Sequence, residues 1–201
     1  MKQFLSFALI VGVAWSIGGC MKKLDDGKIP VTTSSENARR EFLQGRKRAE
    51  KLDLTNSSHH FDKAIELDST FATAYLNRAN VSFTAKEFFD NLKKAVAQAG
   101  SASEGDRLVI LAAEAGANGN VTKQKENLAK MVELFPDDER AHFNYGTYFF
   151  GQQEYAQAIV EYKKAVALRP HFHRSIIFLV TPFGKLGIMM KPRECSRNTL
   201  S

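Results

Sequence analysis

Acidic pairs are the residues of this chain whose types come closest to catalytic chemistry. Asp137 is followed by Asp138, and Glu87 lies three residues before Asp90. Two carboxylates can act as acid and base in a hydrolysis, but only inside a cleft that encloses the substrate. We expect the first pair in a turn and the second near a helix start, where carboxylates interact favourably with the helix dipole. We therefore predict that the chain is not an enzyme.

The histidines and glycines lack the spacing of a metal or phosphate site. His59 and His60 are adjacent, so on a helix they point in different directions, unlike a zinc-binding pair four residues apart. His142, His171 and His173 have no Cys or carboxylate at ligand spacing. The glycine-rich run EAGANGN, residues 114–120, has no GKS or GKT and follows no predicted strand. We predict no metal and no cofactor.

The first twenty residues have the layout of a secretory signal. A positive start with Lys2 precedes an apolar run over residues 4–15, which is too short for a comfortable transmembrane span. The run ends in Ile-Gly-Gly-Cys, which resembles the bacterial lipobox. That resemblance implies cleavage before Cys20, diacylglycerol on its thiol and acylation of its new amine. A plain secretory signal and an uncleaved anchor are the alternatives.

The lipid would tether the chain to a membrane without spanning it. Several acyl chains, each contributing about 0.8 kcal/mol per buried methylene, make such an attachment stable. Met21 after Cys20 favours the outer membrane by analogy with enterobacterial sorting, whereas the periplasmic or surface face stays open. The polar residues that follow read as a flexible spacer. Because Cys20 carries lipid, only Cys195 remains, and no internal disulfide is expected.

Residues 139–172 form two amphipathic helical halves, with a turn expected near Gly151 and a stop at Pro170. Small residues on these halves face large ones. The small ones are Gly146, Ala158 and Ala165, and the large ones are Tyr145, Phe149, Tyr155, Ile159, Tyr162, Val166 and Leu168. This pattern is typical of a helical hairpin. One hairpin cannot bury both its faces, so neighbouring hairpins are expected.

The same pattern recurs upstream. A shift of 34 residues, without a gap, places Gly146 on Ala112 and Pro170 on Pro136. Two weaker copies contain Tyr75, Ala79, Phe83, Phe88 and Leu92 in one, and Gly45, Leu54, Phe61, Ala64 and Leu67 in the other. Repeats of this period predict hairpins stacked in file.

The series Gly146, Tyr155, Ala158, Tyr162, Ala165 and Pro170 resembles the tetratricopeptide repeat, and the resemblance covers roughly residues 38–186. It implies an all-α fold, a right-handed α-solenoid of about four stacked helical hairpins. An ordinary antiparallel bundle is the alternative, although a bundle has no reason to repeat proline at a fixed spacing. We predict a lipoprotein signal peptide at 1–19, a flexible tether at 20–36, TPR-like repeats at 37–172 and an incomplete or degenerate repeat with a basic tail at 173–201.

A solenoid of this kind presents an open concave groove lined by the first helix of each repeat. From the spacing, and from what the resemblance implies, we expect the groove to bind a partner through Asn77, Asn80, Phe83, Ile110, Arg140, Asn144, Thr147 and Phe150. Asn side chains can bond a peptide backbone, an Arg can meet a carboxylate, and Phe offers apolar anchors. Solvated helix faces are the alternative for any single residue.

Basic residues concentrate at the two ends of the predicted repeats. The net charge is +6, and residues 171–201 hold five basic residues against one acidic residue. The basic balance therefore belongs to a tail and does not indicate a nucleic-acid surface. The first helix, predicted from Ala38 to Asp53, is also basic, and we expect a solvated outer face there, with anionic headgroups as the alternative contact. Pro182 and Pro192 should interrupt the helices of the last unit. We expect that the chain departs here from a longer repeat array, by truncation or a shifted reading frame.

These observations predict a lipid-anchored scaffold for protein interactions in the bacterial cell envelope. Its expected partners are a protein or peptide in the groove and a membrane through the lipid, with no nucleic acid. One alternative is an assembly protein that associates with itself through an uncovered C-terminal repeat. Another is a non-catalytic remnant of a larger regulatory protein. The partner's identity and the oligomeric state stay open.

Overall fold

The computed structural model describes residues 27–170, and this part of the chain folds into helices. In chain order they are α1 (Glu36–Ala49), α2 (Leu54–Leu67), α3 (Ala72–Asn80), α4 (Ala85–Gln98), α5 (Glu104–Ala117), α6 (Val121–Leu134), α7 (Glu139–Gly151) and α8 (Tyr155–Leu168). A short 3₁₀ turn, Ala99–Ser101, precedes α5. None of these helices is long and apolar enough to cross a bilayer.

Polar residues placed directly before the helices begin most of them. The side chains of Ser35, Asp53, Thr84, Ser103, Asn120 and Asp138 each accept a hydrogen bond from a backbone N–H in the first turn of the helix that follows. Such caps satisfy amide groups that a helix end leaves unpaired, typically at about 1 kcal/mol each. The caps therefore fix where six of the eight described helices start.

The helices pair as α1 with α2, α3 with α4, α5 with α6 and α7 with α8, and each pair packs on the next. The buried side chains form three clusters in file along the chain, without a common centre. This arrangement confirms the predicted fold class, an all-α solenoid of four stacked hairpins, and excludes the single-centred bundle for the described residues.

The second hairpin departs from the predicted pattern. Its first helix, α3, ends at Asn80 and has 9 residues, against 13 or 14 in the other first helices, so it stops before Phe83, which we predicted in the groove. Phe83 consequently lies in the turn before α4, where it is exposed. The hydroxyl of Thr84, the next residue, caps α4, so the second helix of this hairpin starts at Ala85.

Several sequence predictions fall outside the described residues. They include the signal peptide, the lipid attachment at Cys20, the interrupted last unit with Pro182 and Pro192, and the self-associating C-terminal repeat. They stay predictions. The described part of the predicted tether is residues 27–35, which the structure places against the helices, as shown below.

Candidate functional site

The first helices of all four hairpins line a concave groove of about 190 Å³. α1 contributes Arg46, α3 contributes Asn77 and Asn80, and α7 contributes Arg140 and Asn144. Four of the eight predicted groove residues therefore come together on one surface. The position of each of the four follows from the helical spacing that identified it.

The other four predicted residues do not line this groove. Ile110 is fully buried in the core cluster of α3 and α4, so the prediction that it faces the groove is wrong. Phe83 lies beyond the end of α3. Thr147 is exposed and donates its hydroxyl hydrogen to the carbonyl of Phe143, within α7. Phe150 packs edge to face on Tyr155, with ring centroids 5.6 Å apart.

Arg140 lies in the groove, but its guanidinium is already bound. Its Nε and Nη2 donate to the two carboxylate oxygens of Asp138 at 3.0 and 2.6 Å, and Nη2 also donates to the carbonyl of Ile29. Burial alone would raise the pKa of the Asp138 carboxyl, yet the hydrogen bonds and charge of Arg140 hold it below its ordinary value. Arg140 thus orders the N-terminal segment and is not a free carboxylate receptor.

Three residues of the groove were missed by the sequence analysis. Arg46 was expected on a solvated outer face, but it is half-buried in the groove, where its guanidinium lies 5.8 Å from the centre of the Phe42 ring and makes no hydrogen bond or ion pair with residues 27–170. The Oγ1 of Thr73 and the Oδ2 of Asp106 are buried in the same groove, and neither makes a hydrogen bond of good geometry with a described residue, although the Thr73 hydroxyl is close enough to the Asp106 carboxyl to offset part of the rise in its pKa that burial causes. The sequence did offer a signal for Arg46. It lies four residues after Phe42 and so on the same face of the helix, and Phe42 is fully buried.

Burial in the groove disfavours the charged forms of Arg46 and Asp106. Burial, followed by the nearby charge of Arg140, lowers the pKa of the Arg46 guanidinium. Burial raises the pKa of the Asp106 carboxyl and outweighs the opposing charge of Arg140. A buried polar atom without a partner costs roughly 1 to 3 kcal/mol. A ligand that supplies both a donor and an acceptor would recover part of that cost.

The residues before α1 also contribute to the site. We predicted a flexible tether over residues 20–36, but Ile29 is buried against α5 and its N–H donates to Asp138 Oδ2 at 2.7 Å. The hydroxyl of Thr33 donates to Asp68 Oδ2 at 2.5 Å. The prediction of a flexible spacer is therefore wrong for residues 27–35, because hydrogen bonds to distant turns hold them in place.

The two ends of the described solenoid also meet. Arg169, directly after α8, donates to Glu50 at the end of α1 at 2.5 Å and to Glu139 at 3.2 Å. Since residues 50 and 169 belong to the first and last described hairpins, this ion pair joins the two ends of the described solenoid beside Glu50, which lines the groove.

No protein-family model matches the sequence, and no curated protein matches it. Among solved structures, the chain is similar to YrrB, described as a TPR protein with an unusual peptide-binding site, at 22% identity and a TM-score of 0.38, over 74% of this chain and 79% of that one. It is also similar to MamA, at 21% identity and a TM-score of 0.36, over 67% and 79% of the two chains. Both are similarities of fold, and neither identifies a partner for this chain.

Proposed function

We propose that this protein is a lipid-anchored interaction scaffold of the bacterial cell envelope, without chemistry of its own, that binds a protein or peptide partner in the concave groove. The observation that carries the groove part of the proposal is the set of polar groups on its surface whose hydrogen-bonding capacity is incompletely used, namely the Arg46 guanidinium, Thr73 and Asp106. A polypeptide matches them because its backbone offers a donor and an acceptor at every residue. The amides of Asn77, Asn80 and Asn144 add further groups of both kinds.

The anchoring part of the proposal depends on the sequence around Cys20. The apolar run followed by Ile-Gly-Gly-Cys supports lipid attachment, and Met21 supports retention at the outer membrane. Metabolic labelling with a fatty acid tests it, with Cys20→Ser as the control. Loss of label in the variant supports the anchor, whereas equal labelling overturns it.

The groove is tested by cross-linking to envelope proteins, followed by measurement of the affinity for the captured partner. The informative variant replaces Asn77, Asn80 and Asn144 with Ala and leaves Arg140 unchanged, since Arg140 also holds the N-terminal segment. The matched control replaces the exposed Thr122, Gln157 and Lys163, which lie on second helices. We expect at least a tenfold loss of affinity for the groove variant, about 1.4 kcal/mol. Equal affinities for both variants would show that the partner binds a surface other than the groove.

A further inference from the structure

The segment Lys28–Thr33 runs across three of the turns that connect successive hairpins. Near its start it contacts Asp138, between α6 and α7. Its middle contacts Ser103, between α4 and α5, and its end contacts Asp68, between α2 and α3. We call this row of turns, with the side chains that bind the segment, the turn track.

Three of the seven hydrogen bonds in the track are made to the backbone of the segment. The Ile29 N–H donates to Asp138, the Ile29 carbonyl accepts from Arg140, and the Pro30 carbonyl accepts from the hydroxyl of Ser103 at 3.2 Å. Backbone groups are common to every extended peptide, so these contacts give affinity without demanding one sequence.

Side chains at four positions bind the track. Thr32 Oγ1 accepts from the Ser103 N–H at 3.1 Å, and the Thr33 hydroxyl donates to Asp68. The strongest selection comes from Lys28 and Ile29. The Ile29 side chain fills a hole over Gly105, where an added Cβ would lie 2.6 Å from Ile29 Cγ1. One residue earlier, Lys28 Nζ donates to Glu139 Oε2 at 2.9 Å and to the carbonyl of Asp137 at 2.5 Å. The track therefore selects a Lys followed by a branched apolar residue. The next residue, Pro30, has no N–H that would need a partner.

We propose that the turn track is a peptide-binding site for extended segments with the sequence Lys, branched apolar residue, Pro, and that Lys28–Thr33 is its intramolecular competitor. The segment precedes α1 and belongs to no hairpin, so its release breaks none of the helix pairs. A partner peptide of this chemistry takes the same hydrogen bonds in its place. The site lies beside the groove of the proposed function and is independent of Asn77, Asn80 and Asn144.

The test uses the full chain in mild detergent and a fluorescent peptide with the sequence of residues 25–34, DDGKIPVTTS. In the Ile29→Asp chain, a charge replaces the apolar anchor and the competing segment should leave the track. We expect this variant to bind the peptide at least tenfold more tightly than the unchanged chain, because an occupied site lowers the apparent affinity. Fluorescence anisotropy measures the difference.

Two controls make the result decisive. A peptide that carries Asp in place of its Ile should not bind either chain, and Gly105→Val in the Ile29→Asp chain should abolish binding by filling the hole. If circular dichroism shows that Ile29→Asp unfolds the chain, Ile29→Ala replaces it, with a smaller gain of the same sign. Absence of peptide binding to the folded variant, or equal binding of the two peptides, would overturn the proposal. Neither result depends on the groove variant, so the two proposals fail separately.

Discussion

The first and last hairpins place a glutamate and a histidine at corresponding positions but in opposite order. In α1–α2, Glu41 meets His60 at 2.7 Å, and in α7–α8, His142 meets Glu161 at 2.6 Å, with 19 residues between the partners in each case. The side chains of the first pair are 30% and 24% exposed, whereas those of the second are 6% and 10% exposed. His142 also faces the carbonyl of Pro136 at 2.8 Å.

The difference reflects the position of each hairpin in the solenoid. α7 follows another hairpin, and the turn that contains Pro136 covers its histidine, whereas α1 is the first helix of the solenoid. Both ring nitrogens of His142 face oxygen atoms, Nδ1 the Glu161 carboxylate and Nε2 the Pro136 carbonyl. The same ion pair is therefore a buried network in one hairpin and a surface pair in the other.

Both hairpins share the ring-over-glycine contact that closes them. A Cβ added to Gly45 would lie 2.7 Å from the Phe61 ring, and one added to Gly146 would lie 2.8 Å from the Tyr162 ring. Both rings are buried. Because this contact is equally buried in the first and last hairpins, it is a control for the histidine–glutamate pairs, whose burial differs.

The largest effect is expected from removal of these rings. Phe61→Ala and Tyr162→Ala should each lower the free energy of unfolding by about 4 kcal/mol, because each leaves a cavity in a packed core. Tyr162→Phe is the control and should cost little, since the tyrosine hydroxyl reaches Thr147 only at 3.4 Å. Urea denaturation measures all three. A large difference between the two Ala variants would show that the hairpins are not equivalent in packing.

Removal of each histidine should lower the free energy of unfolding by a different amount in the two hairpins. His142→Ala should cost about 2 kcal/mol, because Glu161 Oε2 loses its partner at a buried position, while Oε1 keeps the Lys164 ammonium at 2.8 Å. His60→Ala should cost less than about 1 kcal/mol, since exposed pairs contribute little. The exchanged variant Glu41→His with His60→Glu should retain the stability of the unchanged chain. Equal losses for the two single Ala variants in thermal denaturation would contradict the burial argument.

The glycines should show an intermediate effect. Gly45→Ala and Gly146→Ala should each cost about 2 kcal/mol, because the added methyl group overlaps a buried ring. A second substitution that shortens the ring, Phe61→Leu with Gly45→Ala, should recover part of the loss if the overlap is the cause. Additive losses in the double variant would assign the cost to the helix backbone instead.

The smallest expected effect is on the pH dependence of the first hairpin. The hydrogen bond from His60 lowers the pKa of the Glu41 carboxyl below its ordinary value of 4.5. A carboxyl with a lowered pKa stabilises the fold above its unfolded-state pKa and loses that contribution as the pH falls through its folded-state pKa. His60→Gln should therefore reduce the loss of stability below about pH 4.5, by less than about 1 kcal/mol. Chemical denaturation at pH 3 to 7 tests this, and an unchanged acid slope would contradict it.

The repeat pattern was readable from the sequence because it is local. Gly146, Tyr162 and their upstream counterparts recur at a spacing set by two helices and a turn, so the hairpins were predicted correctly. Four of the eight residues predicted for the groove line it, and their role in binding stays a prediction. One failure occurred where the repeat spacing breaks, and another occurred where the spacing holds but the packing differs. α3 is shorter than the repeat predicts, which displaced Phe83 from the groove, and Ile110 lies on the buried side of α5.

The sequence by itself determined the helices, their pairing and the small and large residues that close each hairpin, since these depend on neighbours within one repeat. The tertiary structure alone decided where Lys28–Thr33 lies, because Lys28 and Glu139 are 111 residues apart. It also decided that Arg140 binds the Ile29 carbonyl, which is equally distant in the sequence. A Lys-Ile-Pro sequence has the same local appearance in a spacer as in a bound segment. Only the stacking of the hairpins creates the row of turns that holds it.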